Sequence, residues 1–340
     1  MSWRHCDELA RARCVVPAIP RYDDCHSSFS PPPRLPRIVD NDCLIGWRCR
    51  ICGGIILHRT GKLWDRQAAH WQHLTAPGRP CAHDLAFNEG VARDWAARHG
   101  APRVLVLGVT PEMAGMAWPA NTDLLAVDRC PTMIRNVWPG FPRRGAGALC
   151  SDWLSMPLPS ESQDLVFGDG CFGMLRYPDL HRQLVVAVKR VMQGNGLFST
   201  RVFLRPDVAE APAAVIHDLL AGRIANFQTF KFRLAMALHL DTRRGVRVRD
   251  VWDYWQTNAP SPQDLATRLG WPLEQIATIE AYRDQDATYY FPTLREMQGV
   301  LEEGFAEVHS WFPPYELGER CPTFVCGRKT AEPSLALAAA

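Results

Sequence analysis

The sequence predicts an α/β protein: a mostly parallel sheet with an antiparallel last strand, helices on both faces, and a helical insertion ahead of the closing hairpin. Two observations carry this. Between residues 103 and 203 short apolar runs alternate with amphipathic helical stretches, the pattern of parallel strands covered on both faces. The last two apolar runs, "FAEVHSWF" (305–312) and "CPTFVCG" (321–327), are joined by "PPYELGER". That connection has no room for a crossover helix, so the pair runs antiparallel.

The elements follow in order. Organised sequence starts near "KLWDRQAAHWQHL", where Trp64, Ala68 and Trp71 share a helical stripe. A second helix covers 84–98 and ends near Gly100. "RVLVLG" (103–108) is a strand, Pro111 opens a helix, "LLAVD" (124–128) is the next strand and Pro131 opens another helix. "GALC" (147–150) and "DLVFGD" (164–169) are strands. A helix over 178–191 puts Leu180, Leu184, Val185, Val188 and Val191 on one face, and "GLFSTRVF" (196–203) is the next strand. Residues 204–304 read as several helices, with aromatic clusters at 252–255 and 289–291, and the tail 330–340 reads as flexible.

The 340 residues suffice for one large domain or two small ones. A net charge of +2 and the lack of a basic patch argue against a nucleic-acid partner. No apolar run approaches a membrane span and the N-terminus lacks a signal-peptide core, so a cytoplasmic protein is expected. Twelve scattered cysteines then read as free thiols, with Cys150, Cys171 and Cys326 as small core residues. Residues 1–60 carry six of them, a "PPPRLP" stretch and no sustained apolar period, which reads as a disordered extension. Cys49 and Cys52 have metal-ligand spacing, but Cys43 and the distant Cys81/His83 do not supply the usual second pair, so no metal is expected.

The chemistry begins at "VLVLGVTPEMAGMAW" (104–118), a buried strand running through Gly108 into a helix. Dinucleotide loops of this kind carry further glycines so that the backbone can approach a pyrophosphate. Here positions 110 and 112 hold Thr110 and Glu112, and Gly115 falls within the helix. Thr110 suits an N-cap, and Glu112 disfavours an anionic phosphate at the helix start. Asp128 ends the next strand, twenty residues after Gly108, a spacing that suits an acid accepting from the two vicinal hydroxyls of a ribose. A turn-forming role for Asp128 is the competing reading. Arg129 beside it could face a 2′-phosphate.

These segments resemble the class I S-adenosylmethionine-dependent methyltransferases, whose Rossmann-like fold has a seven-stranded sheet with an antiparallel last strand. The resemblance covers roughly 61–329: "VLVLGVTPEMA" for the first motif in a degenerate form, "LLAVDRCPTMI" for the second, "CSDWLSMPLPSESQDLVFGDG" for the third and fourth, and "YELGERCPTFV" for the closing hairpin. It implies methyl transfer from S-adenosyl-L-methionine. It places Gly108, Thr110, Asp128 and Arg129 at the cofactor, Asp152 and Trp153 at the adenine, and Asp169 near the methionyl end or the acceptor. Such a ligand has no phosphate, so one glycine suffices for the turn. Candidate bases are His181, Tyr254, Tyr289 and Asp169. The expected partner is a small-molecule acceptor, enclosed by 204–304. An NAD(P)-dependent oxidoreductase and a non-catalytic ligand-binding or partner-binding protein are the competing functions. Oligomeric state and acceptor identity are open.

Overall fold

The computed structural model describes residues 47–48, 55–56, 62–139 and 147–328. The expectations for 1–60, including Cys49 and Cys52, and for the tail 330–340 lie outside these residues. The exception is a short antiparallel pairing of Trp47–Arg48 with Ile55–Ile56, in a unit separate from the main body.

The body is built on seven strands: β1 Arg103–Leu107, β2 Asp123–Asp128, β3 Gly147–Cys150, β4 Gln163–Asp169, β5 Met192–Arg201, β6 Glu307–Trp311 and β7 Thr323–Gly327. Their spatial order is β6-β7-β5-β4-β1-β2-β3. β7 runs antiparallel to both its neighbours, and the β1–β2, β2–β3, β1–β4 and β4–β5 pairs are parallel. The chain leaves β1 in one direction for β2 and β3, and returns to the other side of β1 for β4 and β5. The crevice beyond the carboxyl ends of β1 and β4 is therefore the topological switch point of the sheet, where ligands of open α/β sheets bind.

Strand alternation builds two cores. Val104 and Val106 face one side with Leu124, Phe167 and Val325, against Val91, Ala92 and Trp95 of α2 (Ala82–His99). Leu105 and Leu107 face the other with Val166, Phe198 and Phe324, against Leu184, Val185 and Val188 of α5 (Asp179–Val191). α1 (Lys62–His70), α3 (Pro111–Ala114) and α4 (Pro131–Asn136) complete this part. Gly115 is the C-cap of α3 rather than an interior residue, because α3 is a single turn that ends at Ala114.

The stretch 204–304 holds α6 (Pro212–Leu220), α7 (Phe227–Leu238), α8 (Val248–Asn258), α9 (Pro262–Leu269), α10 (Leu273–Ala277) and α11 (Leu294–Gly304). A two-residue antiparallel pairing, Val246–Arg247 with Thr288–Tyr289, clips the middle of it and was not legible in the apolar pattern. α6 to α10 form a third core around Phe227, Phe230 and Trp255. α11 instead sends Met297, Val300 and Leu301 into the α5 side of the sheet, so the last helix of the stretch is part of the sheet's own packing.

Candidate functional site

One cavity at the carboxyl edge of β1, β2 and β4 is lined by all seven sequence-derived site residues: Gly108, Thr110, Asp128, Arg129, Asp152, Trp153 and Asp169. Gly108 sits at φ +98°, while a Cβ there would meet nothing closer than 3.8 Å. Glycine is thus required by the backbone conformation of the turn, not by crowding. Gly108 N–H donates to the Val127 carbonyl at 2.7 Å, and the Trp153 indole Nε1 donates to the same oxygen at 2.6 Å. The shared acceptor fixes the Trp153 ring beside the loop. Thr110 occupies the N-cap of α3 and Pro111 its first position, but the Thr110 side chain makes no capping bond.

Asp128 is partly a turn residue. Its Oδ1 accepts the Cys130 N–H at 2.7 Å, while its Oδ2 lies 4.0 Å from where a Gly108 Cβ would stand, and both residues line the cavity. Burial pushes its carboxyl up to about 6, against the pull of the Cys130 N–H and of Arg129. Asp152 likewise caps the 3₁₀ turn Trp153–Ser155, accepting from Leu154 N–H at 2.8 Å, and it pairs with Arg129 at 3.8 Å. Arg129 is therefore turned to a carboxylate of its own chain. Glu112 pairs with Arg79, so its charge is balanced and does not itself repel a phosphate. What remains against phosphate is the brevity of α3, since a single turn has little aligned dipole.

Asp169 is held more firmly than the sequence suggested. Arg201 grips it with Nε to Oδ1 at 2.6 Å and Nη2 to Oδ2 at 3.1 Å. Arg201 Nη1 also reaches Asp84 Oδ2 at 3.3 Å and the Tyr315 hydroxyl at 3.0 Å, and Tyr315 donates to Asp84 Oδ1 at 3.1 Å. Asp84 and Arg201 are 1% and 2% exposed, so this is a buried cluster of two carboxylates on one guanidinium. The two carboxylates hold the guanidinium charged; burial, with Asp84 adding to it, pushes the Asp169 carboxyl up. Sequence reasoning missed Arg201, Asp84 and Tyr315. The available signal was an arginine inside the apolar run "GLFSTRVF", which a buried strand tolerates only with a partner.

Of the four candidate bases, Tyr289 and Asp169 line the cavity; His181 and Tyr254 do not. His181 is fully buried, with Nε2 at 2.9 and 3.0 Å from the Phe172 and Leu175 carbonyls, and burial lowers its pKa to about 4. It is a packing residue. The aromatic cluster at 289–291 lines the cavity through Tyr289 and Phe291, whereas the cluster at 252–255 belongs to the insertion core. Further wall comes from segments with no motif: Trp64, Gln67 and Trp71 from α1 and the turn after it, and Phe203, Phe232 and Tyr282. Among the described residues no group of three histidine, cysteine or acidic side chains is placed to hold a metal, and no helix is long and apolar enough to cross a membrane.

Two outcomes follow. The folded state binds a proton on Asp128 that the unfolded chain, with an ordinary carboxylate near pH 4, releases. Its contribution to stability therefore falls as pH rises from about 4 to about 6, and the full cost of the buried charge is present above that. Asp128→Asn removes the cost, so the variant should melt at or above the wild-type temperature at neutral pH, with the difference shrinking as pH approaches about 4. A variant that melts lower at neutral pH contradicts this. Arg201→Met strands two buried carboxylates and should lose about 3–5 kcal/mol in urea denaturation. A loss below about 1 kcal/mol would show that the cluster contributes little.

No protein-family model and no curated protein matches the chain. Solved structures similar to it include an S-adenosylmethionine-dependent methyltransferase from Aquifex aeolicus, 13% identical, covering 76% of this chain and 97% of that one at a TM-score of 0.37. The CurJ carbon methyltransferase is 10% identical, covering 79% and 59% at 0.46. A Rhodobacter sphaeroides protein named for zinc-dependent alcohol dehydrogenases is 13% identical, covering 78% and 98% at 0.46. The sheet itself decides the fold: seven strands, a switch point between β1 and β4, and a single reversed strand, β7, at the close. The body of the chain has the Rossmann-like α/β fold expected from the sequence, a seven-stranded sheet with one reversed strand at its close.

Proposed function

We propose that the protein transfers a methyl group from S-adenosylmethionine to a small-molecule acceptor. The observation that carries this reading is the charge of the one cavity that gathers the seven residues. Asp128, Asp152 and Asp169 line it with Arg129 as the lining cation, and Arg201 behind Asp169 is shared with Asp84. A wall with three carboxylates to one guanidinium favours a ligand that brings positive charge, as a sulfonium and an ammonium do, over a dinucleotide with two phosphates. Arg129, which an NADP reading needs for a 2′-phosphate, pairs here with Asp152 instead.

The residues present fit the donor. Asp128, with Oδ1 given to the Cys130 N–H, has Oδ2 to accept from ribose, and the indole of Trp153, pinned by the Val127 carbonyl, offers a face or edge to adenine. When bound, the donor supplies an activated methyl, which moves to an acceptor lone pair as the carbon–sulfur bond breaks and its electron pair stays on sulfur. The chain's part is alignment and exclusion of water. In this reading Asp169, held in place by Arg201, stands at the methionyl end, and the aromatic wall from the insertion lines the acceptor's side of the cavity. Tyr289 and Asp169 are the two titratable candidates that line the cavity.

S-adenosylhomocysteine should raise the melting temperature and NADPH should leave it unchanged. Asp128→Ala should weaken S-adenosylhomocysteine binding of the folded protein at least about tenfold in calorimetry, one charge-assisted hydrogen bond's worth, beyond any loss of the turn bond to the Cys130 N–H. Stabilisation by NADPH alone would replace the methyltransferase reading with the oxidoreductase one. Unchanged affinity in the Ala variant would remove Asp128 from the site.

A further inference from the structure

The helix α7 presents different residues to the insertion core and to the cavity. Phe227 and Phe230 enter the core around Trp255, while Gln228 and Phe232, one turn apart, line the cavity. Gln228 is 6% exposed, and its carboxamide has no hydrogen-bond partner among the described residues. Gln67 Oε1 and Trp71 Nε1 are unpartnered too, but they are closed off from solvent. The polar atoms of Gln228 are not closed off, and the space this residue lines is the cavity.

The carboxamide is also held in place. Gly78, in the turn after α1, lines the same cavity, and a Cβ there would stand 2.6 Å from the Gln228 Cδ and 2.8 Å from its Cγ. Gly78 is not at positive φ, so glycine stands there for this close approach and not for the backbone of the turn. The same turn is tied to the start of α7: Thr75 Oγ1 donates to Oδ1 of Asn226, the N-cap residue, at 3.2 Å. One turn therefore fixes Gln228 through both its helix and its side chain, and leaves the hydrogen-bonding atoms without a partner.

A ligand that fills this space takes the carboxamide away from water, and each of its polar atoms then needs a partner. Nε2 needs an acceptor and Oε1 needs a donor. A carboxylate supplies only the first and an ammonium only the second. A carboxamide or a lactam supplies both, side by side and in one plane. The surroundings favour the same chemistry. The cavity wall from α1, the turn after it and the insertion is uncharged, so a charged group there would lose its water without gaining a counter-charge. One turn along α7 the Phe232 ring lies 4.4 Å from Phe203 and 6.2 Å from Phe291, which offers flat apolar surface to a ring.

We propose that Gln228 is a specificity-determining residue of the cavity, and that the acceptor is an uncharged, ring-bearing compound whose carboxamide or lactam edge pairs with it. The word acceptor rests on the methyltransferase reading; the pairing chemistry does not. The test is equilibrium dialysis of the full chain against 2-naphthamide, methyl 2-naphthoate and 2-naphthoate, with and without S-adenosylhomocysteine. The ester keeps the carbonyl for Nε2 and loses the donor for Oε1. The amide should be retained about fivefold more tightly than the ester, one neutral hydrogen bond's worth, and more tightly than the carboxylate. In Gln228→Met the amide-to-ester ratio should fall toward one. Gly78→Ala pushes the flexible end of Gln228 aside and should lower the same ratio without removing a polar atom. Each ratio is taken within one variant, so a general loosening of the fold cancels from it. A wild-type ratio near one, a ratio that survives either substitution, or equal or tighter retention of the carboxylate overturns the proposal. So does a loss of S-adenosylhomocysteine affinity of about tenfold in Gln228→Met, which would assign the carboxamide to the donor. If the ratios behave as stated and S-adenosylhomocysteine does not bind, the donor reading falls and the amide site stands. If S-adenosylhomocysteine binds and the ratios fail, this inference falls alone.

Discussion

The structure around the site depends on one buried guanidinium. Arg201 at the end of β5 is held by Asp169 at the end of β4, by Asp84 in the first turn of α2 and by the hydroxyl of Tyr315, in the connection between β6 and β7. Asp84 also accepts the Cys81 N–H at 2.8 Å, which closes the N-terminus of α2. Four chain segments distant in sequence therefore meet at a single charge. Removing water from these groups is costly, and the cost is offset only because every partner is in place. The arrangement also leaves one carboxylate charge in excess, at the edge of the cavity.

From that cluster the cavity takes its two characters. On the strand side the backbone turn at Gly108 and the twice-used Val127 carbonyl place Trp153, and the carboxylates of Asp128 and Asp152 each give one oxygen to a local turn. Those turn bonds fix the carboxylates in place and leave Asp128 Oδ2 out of the turn bond, near the Gly108 loop. On the insertion side, Phe203 lies against Phe232, and the ring chain continues to Tyr282. Gly170, at φ +64°, has no room for a Cβ because the Phe203 ring would be 2.5 Å from it, so the charged and aromatic halves meet at a glycine. A polar, anionic half next to an uncharged aromatic half suits two ligands of different chemistry brought into line.

Much of this was legible from local pattern. Apolar alternation located the seven strands and the reversed last pair, and motif spacing gathered seven residues that share one cavity. The turn role of Asp128 was equally legible, and it holds for one oxygen of the carboxylate. Where the reading failed, the cause was contact between segments far apart in sequence. The Glu112 argument lost its force because Arg79 lies against it, and His181 proved to be packing because two carbonyls cover its Nε2. Trp64 and Trp71, with Ala68, gave a helical stripe that resembles any core-facing stripe, and Gln67 stood outside it. Only the fold turns that stripe to the cavity. The short pairing of Val246–Arg247 with Thr288–Tyr289 is too brief for any periodicity to register.

The central claim is that one anionic cavity at the β1/β4 switch point holds the methyl donor. A crystal structure of the protein with S-adenosylhomocysteine tests it most directly. The account predicts the ribose hydroxyls within hydrogen-bond reach of Asp128 Oδ2, the adenine against Trp153, and the homocysteine end directed to Asp169. Density for the ligand outside this cavity, or with the adenosine placed along the aromatic wall from Phe203 to Tyr282, would contradict it.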